Sequence, residues 1–216
     1  MATPAQLVNA VSNTTGVPLP TVVDIDRKLV KGKLRTKGGR GFNAAQMTPL
    51  DAARLLTAVL GSPQANTSVE AVERYAKTRV DKARSSDKLF GAAKLDDLAA
   101  LPARHSFVDA LAALIASAAT GSLAKLIASS NDWLPHIEVY AFTRATRGRI
   151  RIASLPNGLT ASLDYISAPA ETKPAKKFIR SRKTNESPGD LEQSRRITER
   201  TILTIARLLG QESEHE

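Results

Sequence analysis

The chain has 216 residues, 31 lysines and arginines against 21 aspartates and glutamates, a formal net charge of +10 and no cysteine. That length supports one large domain or two small ones without staples. The missing thiols exclude disulfides, thiolate metal sites and a cysteine nucleophile, and fit a reducing cytoplasm. The positive balance calls for an acidic partner, nucleic acid first and an anionic membrane surface second. No apolar run reaches the roughly 20 residues needed to span a bilayer, and Met1-Ala-Thr-Pro4 lacks the basic start and apolar core of a signal peptide, so the expectation is a cytoplasmic protein with no membrane partner. Aromatic residues make up 4%, a low share for single-strand stacking platforms, which favours double-stranded DNA.

Thr3-Pro4 is a helix opening, a hydroxyl cap followed by proline at the first helical position. Leu7, Val8, Ala10 and Val11 form its apolar stripe and Gly16 its end. After the turn at Gly16-Val17-Pro18, Val22, Ile25, Leu29 and Val30 recur at helical spacing up to Gly32, leaving Arg27, Lys28 and Lys31 on or beside the solvent face. A glycine-punctuated basic loop, Lys33-Leu-Arg-Thr-Lys-Gly-Gly-Arg-Gly41, follows. Between Arg27 and Arg40 there are seven basic residues and no acidic one, a self-repelling cluster that a polyanion would neutralise. Thr48-Pro49-Leu50-Asp51 opens a third helix, with Leu50, Ala53, Leu56, Val59 and Leu60 as its stripe and Gly61 as its stop. Ser68 begins a fourth, expected to reach Ala83, whose charges form a largely solvated face.

Helix, turn, helix, basic loop and leucine-bearing helix together resemble the winged helix-turn-helix of MerR-type regulators over residues 3 to 60. The matching residues are Thr15-Gly16-Val17, Arg27, Leu29, Gly32, Leu34, Arg35, Gly39-Arg40-Gly41-Phe42, Asp51 and Leu55-Leu56. The resemblance implies a second helix in the major groove and wing arginines on the phosphates. Thr21, Asp24, Arg27 and Lys28 are then expected at base edges or phosphates, with Lys31, Lys33, Arg35, Lys37 and Arg40 on the backbone. It does not extend to sensing cysteines, an aromatic pair in the recognition helix or a long coiled-coil helix. The composition also resembles regulators of prophages and other mobile elements.

Residues 84 to 104 read as a boundary region. Ser106-Phe-Val-Asp109 opens an apolar, alanine-rich helix ending at Gly121, suited to close packing within the fold or in a twin subunit. Ser122 to Ser129 add short turns. Ile137–Thr143, Arg149–Ser154 and Leu159–Ile166 then read as three antiparallel strands, with Gly148 in the first turn and Pro156-Asn157-Gly158 as the second. Arg144, Arg147, Arg149 and Arg151 give that hairpin either a second phosphate contact or edge-strand protection. Trp133, before Pro135, is expected to anchor the core. Residues 167–189 form a flexible basic linker carrying Lys173, Lys176, Lys177, Arg180, Arg182 and Lys183. Asp190 to Leu209 closes as a helix whose stripe is too apolar to stay alone, hence an expected oligomerisation or partner-binding element.

His105, His136 and His215 lie far apart without ligand-type neighbours, and Gly38-Gly-Arg-Gly41 lacks the Gly-Lys-Ser/Thr end of a phosphate loop. No metal, cofactor or catalytic set is therefore expected. The expectation is α+β, mainly α, in four segments: a winged helix-turn-helix at 1–83, an assembly or regulatory domain at 84–166, the linker at 167–189 and the C-terminal helix at 190–216. Its function would be that of a non-enzymatic, sequence-specific transcriptional regulator acting on duplex DNA as a homo-oligomer, a dimer first. The alternatives are a small-terminase-like or other DNA-packaging protein and an enzyme or enzyme accessory with a small-molecule pocket over the three strands, and basic hairpins leave RNA open as the nucleic acid.

Overall fold

The computed structural model describes residues 2–37, 45–85, 95–121, 123, 137–143, 146–155, 159–167 and 193–210. Arg40 with the Gly38–Gly41 run, the Ser122–Ser129 turns apart from Leu123, Trp133, Arg144, the Pro156-Asn157-Gly158 turn and the basic arm at 168–189 lie outside them.

Four helices open the chain: α1 (Pro4–Thr15), α2 (Leu19–Lys31), α3 (Pro49–Gly61) and α4 (Ser68–Ala76). Thr3 and Thr48 each complete a reciprocal capping box, with Gln6 and Asp51 respectively, and proline follows both caps. The short strand β1 (Thr78–Val80) follows α4, and α5 (Asp96–Ala99) precedes α6 (Phe107–Ala119), which starts on a Ser106–Asp109 capping box. Strands β2 (Ile137–Phe142), β3 (Arg147–Leu155), β4 (Leu159–Ser167) and β5 (Ser194–Thr198) precede α7 (Glu199–Gly210).

The fold is α+β, but the sheet has five strands rather than three. All pairs are antiparallel, in the order β1-β4-β3-β2-β5. The two additions replace ends of expected helices. The helix expected to reach Ala83 stops at Ala76, because Thr78 turns its hydroxyl onto the Tyr75 carbonyl (2.7 Å) and Val80 pairs with Tyr165 of β4. Ser194-Arg-Arg-Ile-Thr198, expected as helix, extends along β2 and points Ile197 inward.

Strand alternation separates the two faces. Ile137, Val139, Ala141, Ile150, Ile152, Ala161, Leu163 and Tyr165 are buried toward the helices. Gly148, expected in a turn, is in β3, and a Cβ there would fall on the Phe107 ring of α6. Phe107 in turn lies between Tyr75 (5.3 Å between ring centroids) and Tyr165 (5.7 Å). The Tyr75 hydroxyl donates toward the Phe142 and Arg147 carbonyls at 2.9 and 3.1 Å, which ties α4 to the turn end of the β2–β3 hairpin.

The boundary expected at 83/84 falls within continuous packing: β1 pairs with β4, and one apolar cluster includes residues from Ala2 to Ala206. The C-terminal helix also departs from expectation. Thr201, Ile202, Ile205 and Ala206 of α7 are buried, and the helix packs on α1 and α6 of the same chain. These four residues are therefore covered by the chain's own helices, while Leu203, Leu208 and Leu209 are partly exposed. Arg195, at the start of β5, donates to the Val59 and Ser62 carbonyls (2.7 and 2.8 Å), placing a cation at the buried C-terminal end of α3.

Candidate nucleic-acid interface

The turn between α1 and α2 is built from Gly16, left-handed at φ 73°, and from the Ser12 hydroxyl, which donates to the Val17 carbonyl at 2.8 Å. On α2 itself the helical period divides the side chains cleanly. Val22, Ile25, Asp26 and Leu29 face inward and are buried. Thr21, Asp24, Arg27, Lys28 and Lys31 share the opposite face; Thr21, Arg27 and Lys31 are exposed, while Asp24 and Lys28 are partly so and form an i,i+4 pair at 2.7 Å.

Asp26 is a carboxylate on the apolar face, and it needs a cation. Arg35 supplies it from the following loop: Nη2 hydrogen-bonds Oδ2 at 2.8 Å, while Nε approaches Oδ1 at 2.5 Å without hydrogen-bond alignment. The two side chains are 8% and 11% exposed. Burial pushes the Asp26 pKa above the ordinary carboxylate value, and the charge and hydrogen bond of Arg35 oppose that shift without cancelling it.

A second clamp lies one residue on. The Asp51 carboxylate, buried at the start of α3, accepts from the Thr36 backbone N–H (2.8 Å) and hydroxyl (3.1 Å), as well as from Thr48. Burial works to raise its pKa, but these hydrogen bonds prevail and hold it below the usual range. Arg54 of α3 donates to the Leu34 carbonyl at 2.9 Å. Gly32 passes close to Val69, and Lys33 takes a left-handed φ of 57°. The loop is thus fixed on the helix pair at Leu34, Arg35 and Thr36, while Lys33 and Lys37 point to solvent.

This geometry corrects one expected site residue. Arg35 cannot lie along phosphates, because its guanidinium is buried in the protein's own ion pair. The other described candidates, Thr21, Asp24, Arg27, Lys28, Lys31, Lys33 and Lys37, lie on the α2 surface or its outgoing loop. Arg27, Lys31, Lys33 and Lys37 have no carboxylate partner among the described residues. Arg40 lies outside the described residues, and no described residue between α2 and α3 is in a strand. The sequence alone read Asp51 only as a helix cap and Asp26 as a solvated surface carboxylate, and it missed Arg54. A signal for Asp26 was present: it is a carboxylate flanked at helical spacing by Ile25, Val22 and Leu29.

The arginine row of β3 is corrected as well. β3 is the central strand, so charge there does not protect an edge. Arg147, Arg149 and Arg151 project from the face opposite the helices, across from Phe142, Tyr140 and Glu138 of β2.

Comparison with protein-family models, with curated proteins and with solved structures gives no match. Among the described residues, no helix is long and apolar enough to cross a membrane.

Proposed function

We propose that this protein is a sequence-specific duplex DNA-binding regulator that acts in the cytoplasm and places the outer face of α2 in the major groove. The observation that carries this reading is the sorting of charge around α2. Asp26 is paired with Arg35 inside the fold and Asp24 with Lys28, whereas Arg27, Lys31, Lys33 and Lys37 are exposed and have no carboxylate partner among the described residues. Exposed cations at a helix and its outgoing loop suit a phosphate backbone, and in this reading Thr21, Asp24 and Lys28 meet base edges or phosphates. The α1–Gly16–α2 unit supports the same role. A two-fold pair reading half-sites one helical turn apart is the proposed assembly.

Selection of bound sequences from random duplex DNA by the full chain tests this reading. A single enriched motif is expected, palindromic for a two-fold pair, with binding that weakens steeply as salt rises. No enrichment together with no salt-dependent retention of duplex would overturn it.

A further inference from the structure

The helices α3, α6 and α7 pack against one face of the sheet; the other bears a cluster that the α2 reading does not use. Tyr140 and Phe142, two positions apart on β2, lie side by side with ring centroids 6.3 Å apart and planes within 20°. Both residues are half-buried. Arg147 covers Phe142 at 4.8 Å from its centroid. Around the rings stand Arg149, Arg151 and Arg196, with side chains 36%, 44% and 50% exposed.

Two carboxylates hold these cations in place. Glu138, its side chain 8% exposed, accepts from Arg151 (2.8 Å), Arg196 (2.7 Å) and the Tyr140 hydroxyl (2.9 Å), and Asp164 accepts from Arg149 at 2.8 Å. Among the described residues, Arg149, Arg151 and Arg196 thus share two carboxylates. A guanidinium has five N–H donors, so each pair fixes an arginine while leaving further donors for another partner. Beside the rings, Arg84, Arg149, Arg151, Thr160, Ser162 and Asp164 line an open depression of about 540 Å³.

From this juxtaposition we propose that the outer face of the sheet binds a single-stranded nucleic acid segment, with bases stacked on Tyr140 and Phe142 and phosphates held by Arg149, Arg151 and Arg196. A single strand uses both the rings and the cations. A duplex keeps its bases stacked on each other and offers the face phosphates alone, while an acidic peptide offers carboxylates with no planar group for the rings. The low aromatic content does not oppose this, since the fold gathers two rings onto one strand face.

The test is fluorescence anisotropy of the full chain with labelled oligothymidylate and oligouridylate of about 12 nucleotides, and with a duplex of similar length. Wild type should bind a single strand, and the two sugars show whether DNA or RNA is preferred. Tyr140→Leu with Phe142→Leu should weaken that binding by about tenfold or more and spare the duplex, while Tyr140→Phe should retain it. Arg27→Ala with Lys31→Ala should do the reverse, so failure at the sheet is distinguishable from failure at α2. Absence of single-strand binding by wild type, or unchanged affinity in a folded Leu/Leu variant, overturns the proposal, as does a polyglutamate peptide that competes as well as the oligonucleotide. If the Leu/Leu variant does not fold, photocrosslinking of wild type decides: crosslinks at Tyr140 or Phe142 support the site, and crosslinks confined elsewhere overturn it.

Discussion

Arg35 and Asp26 form an ion pair almost closed to solvent, joining the loop after α2 to the inner face of that helix. The pair divides a run of like charges into one cation that holds the structure and several that remain outside it. Breaking a buried pair strands a charge, with a typical penalty of about 3 to 5 kcal/mol. The two halves should nevertheless behave differently.

Asp26→Ala leaves a guanidinium that cannot lose its proton, so its destabilisation should persist across the acid range. Arg35→Ala leaves a carboxyl whose folded-state pKa is already raised by burial. A raised acid pKa favours the protonated form in the fold, so stability is recovered as pH falls through the folded value. Urea unfolding at neutral and mildly acidic pH should show the Arg35→Ala deficit shrinking as pH falls, and parallel deficits for the two variants would contradict this account.

Arg27 and Lys31 are exposed and without a carboxylate partner among the described residues. Changing either to alanine should reduce the log–log salt slope of duplex binding by roughly one unit while leaving stability within about 0.5 kcal/mol. Slopes from anisotropy titrations at several salt concentrations give the measurement. Equal slopes for wild type and both variants would place the duplex elsewhere on the molecule.

Asp51 has the opposite sign to Asp26. Its folded pKa is lowered, so its stabilisation is present above the ordinary carboxylate value and is lost as pH falls through the folded value. Asp51→Asn should cost about 1 to 3 kcal/mol at neutral pH, through weakened acceptance from Thr36 and Thr48. It should also flatten the loss of stability on acidification. Thermal melts between about pH 7 and about pH 3 read both effects, and an acid limb as steep as that of wild type would refute the clamp.

Gly148 is needed for space, because a Cβ would overlap the Phe107 ring. Gly148→Ala should destabilise by roughly 1 to 3 kcal/mol. Phe107→Leu leaves a void of its own, yet combined with Gly148→Ala it should cost less than the two single changes added together. Strictly additive unfolding free energies would show that the two sites do not share the contact.

Much of the local structure was legible in the chain because it depends on neighbours in sequence. Thr3, Thr48 and Ser106 each satisfy backbone donors within three residues, and alternation from Ile137 to Ile166 matches the two faces of a sheet. On α2, the helical period alone put Arg27 and Lys31 opposite Ile25 and Leu29. Long-range partners decided the rest. Thr78–Val80 and Ser194–Thr198 became strands because β4 and β2 offered open edges, and α7 turned inward because α1 and α6 presented apolar surface. Arg35 looked like its basic neighbours until Asp26 drew it inside, and the β3 arginines looked like edge charge until β2 and β4 flanked them. Caps and periodicity act over a few residues; strand order and the burial of a charge depend on what the folded chain brings from far away.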